Sequence, residues 1–141
     1  MNERYVLEAL QKGVTQAVQN SDYDTTPVKY LGRVFTPPDQ GHWLELIYIP
    51  NNPTNEFWDT SKTYRGVLRL LFFEIANNEG SYGLLEKAEN ISNYFTKGVK
   101  LSDESENVIV NITENANVMN VLEEDSKLLV PVSIRYSFFG A

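Results

Sequence analysis

The stretch from Thr63 to Phe95 limits the possible folds more than any other part of the chain. It opens with an alternating, strand-like run over 63–76, within which residues 70–73 are apolar at every position. Successive side chains on a strand point to opposite faces, so this run predicts a central strand covered on both sides over that span. The Asn- and Gly-rich segment 77–83 then predicts a turn, because these residues readily adopt turn conformations.

An amphipathic helix is predicted to follow the turn. Ser81 is expected to cap its N-terminus, because a serine hydroxyl can accept a backbone N–H that the first helical turn leaves unpaired. Beyond it, apolar residues recur at helical spacing at Leu84, Ala88, Ile91 and Phe95. A central strand joined to such a helix predicts the core of one α/β domain, and no catalytic group lies on this unit.

The rest of the chain supplies another helix and more strands for one domain, which is predicted to span residues 1–141. The first helix, over 2–19, carries an apolar stripe, and Gly13 within it either marks close packing or is merely tolerated. Further strands are predicted over 28–31, 42–50, 108–113 and 127–139, with irregular chain over 116–126.

Two features bear on how the strands are arranged. Residues 51–62 form a long polar connection, which predicts an extended hairpin arm between two antiparallel strands. Pro131 lies inside the last strand. Because proline cannot donate a hydrogen bond to a neighbouring strand, that strand is expected at a sheet edge or at a bulge.

Composition and motifs argue against a catalytic or metal site. The chain has no cysteine and a single histidine, His42, which excludes disulfides, thiol chemistry and multi-histidine metal centres within one chain. No glycine motif for phosphate binding is present, and the acidic clusters lack the ligand spacing of a calcium loop. We therefore expect no enzymatic activity, no cofactor and no metal.

The charge balance limits the possible partners. Twelve basic and nineteen acidic residues give a formal net charge of −7, and the sequence pI is near 4.7. Tight binding to nucleic-acid phosphates needs clustered cations, so an acidic chain is a poor candidate for it. No apolar run resembles a signal peptide or approaches the roughly 20 residues of a membrane-spanning helix. We expect a cytosolic protein without a membrane partner.

Several aromatic residues stand in polar or terminal surroundings. Phe57 and Trp58 lie inside the polar connection, and Phe138 and Phe139 lie near the chain end. Such residues either fold back onto the core, as most large apolar groups do, or anchor a partner subunit. The sequence alone leaves both alternatives open.

The order of the elements, with three short motifs, resembles a known family. The motifs are F-T-P-P at 35–38, R-G at 65–66 and V-P-V-S-I-R-Y at 130–136. Together they resemble the tail terminator (tail completion) and minor tail proteins of long-tailed bacteriophages, over most of the chain. The resemblance implies a single-domain α+β fold. It comprises a mixed, mostly antiparallel sheet, two amphipathic helices packed against it and an extended hairpin arm, although 51–62 is longer than the family pattern.

The resemblance also implies a function. Such proteins form six-membered rings that cap the tail tube, stop its growth and present a surface to the head. A homo-hexamer is therefore expected, with tail tube protein on one face and a head-completion or neck protein on the other. It would lie in the virion at the head–tail junction, and in the host cytoplasm during assembly. The alternatives are another neck or head-closure component, and a small cytosolic ligand-binding or enzymatic domain.

If the resemblance holds, particular residues acquire expected roles. It favours an interface role for Phe57 and Trp58, with Phe138 and Phe139 as further interface candidates. DNA would cross the ring without specific binding, so acidic loops are expected to line the channel. The candidate lumen residues are Asp103, Glu104 and Glu106 in one loop, and Glu123, Glu124 and Asp125 in the other.

Overall fold

A computed structural model describes residues 3–50, 62–76 and 80–140. In chain order the elements are α1 Glu3–Asn20, β1 Val28–Lys29, β2 His42–Pro50, β3 Lys62–Ile75, α2 Gly80–Ser92, β4 Lys100–Ser102, β5 Ile109–Ile112, β6 Asn117–Val118, β7 Leu122–Glu124 and β8 Lys127–Gly140. The predicted arm over 51–62 falls outside the described residues except at its last position. The strands that it joins, β2 and β3, are antiparallel, as predicted.

The strands form one mixed sheet in the order β1-β2-β3-β8-β5-β4, with β6 and β7 also paired to β8. Among the described strands, β1 and β2 alone pair in parallel, and the other pairings are antiparallel. Strand β3 lies between β2 and β8, so its predicted central position is confirmed. The predicted α+β architecture, with two helices against a mostly antiparallel sheet, is also confirmed.

Both helices cover the same face of the sheet. Alternation along the long strands places the even-numbered residues of β2, β3 and β8 on this face. The buried residues of the core are Val6, Leu10 and Val14 of α1, Leu84, Ala88 and Ile91 of α2, Leu44 and Leu46 of β2, Leu68, Leu70 and Phe72 of β3, and Val130, Val132 and Ile134 of β8. Gly13 marks close packing, because a Cβ there would lie 2.9 Å from Leu101 Cδ1.

The prediction that β3 is covered on both faces over residues 70–73 is wrong. Leu70 and Phe72 are buried beneath the helices, whereas Leu71 and Phe73 on the opposite face are only half-buried. No described helix lies over that opposite face. The prediction failed because an apolar residue on a strand favours burial but does not determine which element, if any, covers it.

Of the two positions expected for the strand that contains Pro131, the sheet edge is excluded. Strand β3 pairs along one side of β8, and β5, β6 and β7 follow the other side. Pro131 lies at an irregularity in that second pairing. Between the pairs Val118↔Val132 and Leu122↔Leu129 there are four steps along the segment that contains β6 and β7 but three along β8. The bulge alternative therefore describes the site better than the edge alternative.

The irregularity explains how a proline is tolerated in a central strand. The N–H and C=O of one strand residue point to the same side, and the Pro131 carbonyl accepts a hydrogen bond of 2.9 Å from the Met119 N–H. The nitrogen of Pro131 therefore also faces this second side, in the gap between β6 and β7. No paired residue needs a donor there.

Two local predictions need correction. Helix α2 begins at Gly80, whose φ of +64° is a left-handed conformation that glycine adopts easily, so Ser81 lies within the first turn instead of capping it. The helix ends at Ser92, and Phe95 is buried from the turn that follows. The 116–126 segment is not wholly irregular, since it contains β6 and β7.

Candidate functional site

Two of the three family-like motifs meet in the sheet. Gly66 of the R-G motif lies opposite Tyr136 at the end of the V-P-V-S-I-R-Y motif. A Cβ at position 66 would lie 2.3 Å from the Tyr136 hydroxyl oxygen and 2.6 Å from its Cζ. Glycine is therefore required because the tyrosine occupies the space that any side chain would need.

The tyrosine is part of a buried aromatic and polar group. Its ring stacks on Tyr48 at 6.1 Å between centroids, and the Tyr48 hydroxyl donates a 2.7 Å hydrogen bond to Glu3 Oε2 at the start of α1. Burial raises the pKa of Tyr136 to about 12 and also raises the pKa of Tyr48, so both phenols stay neutral at ordinary pH. These motifs thus fix the strand register and the helix start, and they form no reactive centre.

The third motif lies elsewhere. Residues 35–38 belong to the segment between β1 and β2, and Phe35 is half-buried there. Val34, immediately before the motif, is fully exposed. The three motifs therefore do not converge on one site.

No described helix covers the face of the sheet opposite α1 and α2. We call it the open face. It consists of Trp43, Glu45, Ile47 and Ile49 of β2, Val67, Arg69, Leu71, Phe73 and Ile75 of β3, and Lys127, Leu129, Pro131, Ser133 and Arg135 of β8. Most of these side chains are apolar and partly exposed; Ile47 is 40% exposed. Trp43 stacks on Phe73 at 5.2 Å and is only 2% exposed.

One end of the open face forms an apolar cleft of about 520 Å³. Phe73, Leu122 and Leu129 line its floor, and residues 123–125 with Lys127 form its rim. Leu122 is about half exposed although it lies opposite Leu129 in the pairing of β7 with β8. Apolar side chains at a concave surface suit an apolar anchor from a partner molecule.

The other end of the open face forms a polar niche of about 260 Å³, lined by Val67, Arg69, Glu114, Asn115, Asn117, Met119, Ser133 and Arg135. Arg69 and Ser133 lie opposite each other on neighbouring strands. Ser133 is only 9% exposed, yet neither its hydroxyl nor Arg69 Nε has a hydrogen-bond partner among the described residues. Arg135 pairs with Glu114 at 3.7 Å on the exposed rim.

The single histidine belongs to a structural polar cluster. His42 Nε2 lies 2.8 Å from the Thr26 hydroxyl, near the ion pair of Lys87 with the buried Glu74 carboxylate at 2.9 Å. Burial lowers the pKa of His42 and Lys87 lowers it further, while Glu74 partly opposes them. Within the described residues, no three or more His, Cys, Asp or Glu side chains are grouped to hold a metal ion.

The two acidic loops lie at opposite ends of β8. Strands β7 and β8 are joined by a two-residue turn, in which Asp125 and Ser126 have φ of 50° and 64°. Residues 123–125 therefore lie next to the start of β8. The β4–β5 loop lies beyond the other end, because β5 runs antiparallel to β8 and pairs with it at Asn111↔Ser137. At about 3.3 Å per residue, the strand separates the two loops by up to about 40 Å.

Asp103 differs from the other acidic candidates. It is 1% exposed, and its carboxylate accepts hydrogen bonds from the Val108 N–H at 3.0 Å and the Asn107 amide at 2.8 Å. Burial alone would raise the pKa of Asp103, but these hydrogen bonds outweigh it and lower the pKa. Asp103 therefore organises its loop from inside, whereas Glu104, Glu106, Glu123, Glu124 and Asp125 are exposed.

The aromatic interface candidates divide into two groups. Phe57 and Trp58 lie outside the described residues, so their interface role stays a prediction. Phe138 is 3% exposed and stacks on Tyr64 at 4.8 Å, which places its ring in the subunit's own core. Phe139 is in β8, and its interface role also stays a prediction.

One family model and two solved structures are similar to this chain. The family model described as "Phage tail terminator protein" matches residues 5–136. A solved structure that carries no functional name superposes with a TM-score of 0.78 at 19% identity, covering 98% of this chain and 96% of that chain. A chain from the virion of a native gene transfer agent (GTA) particle has a TM-score of 0.64 at 14% identity, with 94% and 96% covered. No curated protein matches the sequence significantly.

Proposed function

The chain belongs to the phage tail terminator family, and we propose that it caps the end of the bacteriophage tail tube as a ring. As a member of that family it is a structural tail protein. The observation that carries the proposal is the extent of the family match, which begins within α1 and includes α2 and all strands except the end of β8. A structure that shares the fold is part of a virion, which is consistent with the same setting.

The proposed mechanism is steric. A ring seated on the last layer of tube protein covers the surface where the next layer would add, so polymerisation stops. The opposite face of the ring is then available to a head-completion or neck protein. We propose a homo-hexamer in the virion at the head–tail junction, assembled in the host cytoplasm. Neither described helix has the length and hydropathy needed to cross a membrane.

The proposed channel has an electrostatic requirement. Six copies carry 6 × −7 = −42 formal charges. Lysines and arginines lining the channel would hold DNA by counterion release and impede its passage, so an acidic or neutral lining suits transit without specific binding. The exposed carboxylates of the β4–β5 loop and of the β7–β8 hairpin are the candidates for that lining.

The fold restricts how the two acidic loops can line the channel. Because they lie at opposite ends of β8, both can face the channel only if β8 runs roughly along the channel axis. If β8 runs radially, one loop faces the channel and the other faces outward. Variants that reverse the charge of one loop at a time therefore report the orientation of the subunit as well as the lining.

The capping function is tested by assembling purified tube protein with and without this chain and imaging the tubes by negative stain. We expect a ring at one end of each tube, and we expect the tubes to stop lengthening when the chain is added. Tubes that elongate unchanged would refute the terminator role. Binding only to tubes that another protein has already closed would identify a neck or head-closure component.

A further inference from the structure

We propose that the open face is the contact surface for a second copy of this chain, and that the polar niche receives a carboxylate from that copy. The inference rests on the proposed function, because it assigns the neighbour contact within the ring. Three observations support it: the apolar character of the face, the unpaired polar groups in the niche, and the distribution of charge.

The size and composition of the open face fit a subunit contact. Three strands about 4.8 Å apart, each contributing up to eight steps of about 3.3 Å, give a projected area of roughly 400 Å². That area is similar to the largest apolar patches of monomers, which are often functional, and protruding side chains bring it closer to the roughly 800 Å² per partner of a stable interface. The half-exposed Ile47, Ile49 and Leu122 supply apolar surface that a partner would bury.

The niche contains hydrogen-bonding groups that the described residues leave unsatisfied. The Ser133 hydroxyl is enclosed without a partner, and Arg69 makes no hydrogen bond or salt bridge within the described residues. A buried polar group without a partner costs roughly 1–3 kcal/mol, so such groups usually meet one in the assembled state. A guanidinium next to a hydroxyl donor is suited to a carboxylate, which accepts from both.

Charge favours a second copy over DNA as the occupant. The open face carries Arg69, Lys127 and Arg135 against Glu45, and Glu114 with residues 123–125 on its rim brings the sum to 3 − 5 = −2. The rest of the subunit carries the other −5 of the net charge of −7. The unpaired arginine of the niche complements an exposed carboxylate of another acidic copy, whereas a duplex would need a cluster of cations that this face lacks.

Single cysteines provide a direct test, because the chain has none of its own. Ile47→Cys places a thiol on the open face, and Tyr82→Cys places one on α2, where the side chain is 83% exposed. Maleimide labelling is measured in dilute monomer, in the assembled protein, with duplex DNA and on tail tubes. We expect assembly to slow labelling at position 47 by at least about tenfold, because the centre of an interface excludes solvent, and to leave position 82 unchanged.

A second pair of variants tests the niche. Arg69→Met keeps the apolar stem and removes the guanidinium, and we expect a shift of native mass toward monomer with an unchanged melting temperature. Lys12→Met on α1 is the matched control and should assemble normally.

Several results would overturn the inference. Position 47 already protected in the monomer would mean that the chain's own residues cover the face. Protection with DNA alone would assign the face to DNA, and equal labelling at both positions in the assembled protein would leave it exposed. If wild type caps tubes as a ring but position 47 in that ring is labelled as fast as in the monomer, the inference fails and the proposed function stands. If wild type assembles through this face but does not stop tube growth, the proposed function fails instead.

Discussion

Gly66→Ala is the substitution for which the structure gives the sharpest expectation. The added methyl group would lie 2.3 Å from the Tyr136 hydroxyl oxygen, 2.6 Å from its Cζ and 2.9 Å from the Ile49 carbonyl oxygen. The last contact is with backbone, so little relief is available there. Tyr136 must move, although it is almost fully buried and stacked on Tyr48.

Opposing effects determine whether Gly66→Ala raises or lowers the free energy of unfolding. Replacing glycine by alanine within a strand favours folding by roughly 0.5–1 kcal/mol, because the unfolded chain loses freedom. Overpacking a core costs about 1–3 kcal/mol, and displacing the buried Tyr136 hydroxyl from its hydrogen bond with Tyr48 costs about 1–3 kcal/mol more. We therefore expect a net loss of roughly 1–5 kcal/mol, a large share of an ordinary domain's stability of about 5–15 kcal/mol.

Urea unfolding, followed by circular dichroism, measures this loss. Gly13→Ala is the control, because its Cβ would meet the flexible end of Leu101 and alanine favours a helix by about 1 kcal/mol, so its net effect should be near zero. A double-mutant cycle with Tyr136→Leu, which lacks the ring's far end, should reduce the cost of Gly66→Ala by roughly 1–3 kcal/mol. An equal cost in both backgrounds would show that Tyr136 is not the reason for the glycine.

Three other perturbations test the burial of β3, the charge of His42 and the lining of the channel. Phe72→Ala should cost about 3–5 kcal/mol in urea unfolding and Phe73→Ala distinctly less, because only Phe72 is buried beneath the helices; equal losses would mean that the open face is covered. Folding lowers the pKa of His42, so the contribution of the neutral imidazole to stability is present above pH 6.5 and is lost as pH falls through the folded pKa. His42→Gln should therefore reduce the fall of the urea midpoint between pH 7 and 5, and an unchanged dependence of the midpoint on pH would contradict this. Lysines replacing the two glutamates of one acidic loop should create salt-dependent retention of duplex DNA by assembled rings, near 50 mM salt, only if that loop faces the channel; rings of both variants that ignore DNA would refute the lumen assignment.

The sequence predicted those parts of the fold that depend on local periodicity. The central position of β3 followed from four successive apolar residues, and both helices followed from 3.6-residue spacing. The N-terminus of α2 was misplaced because Ser81 and Gly80 both suit a helix start, and only the backbone conformation of Gly80 distinguishes them. Short strands such as β6 have too little sequence to show a period.

The features that matter most for interaction depend on contacts between distant residues. The need for glycine at position 66 becomes visible only when the register places it opposite Tyr136, about half the chain away. The niche likewise requires the pairing of Arg69 with Ser133, neither of which belongs to a recognisable binding motif. A charged residue in an apolar strand is the one sequence signal that could have drawn attention to Arg69, since such a residue usually has a partner.

The open face and the acidic loops together constrain the orientation of the subunit in a ring. A surface buried against a neighbour cannot also line the channel, so use of the open face for that contact leaves the helix face and the two ends of β8 for the other surfaces. Neighbours in a ring are related by rotation about its axis, so the buried face lies roughly parallel to the axis, and β8 within it can be axial or radial. An axial β8 would place the acidic loops at opposite mouths of the channel, where each meets DNA. A radial β8 would leave one loop at the outer rim, and lysines there would have no effect on DNA retention.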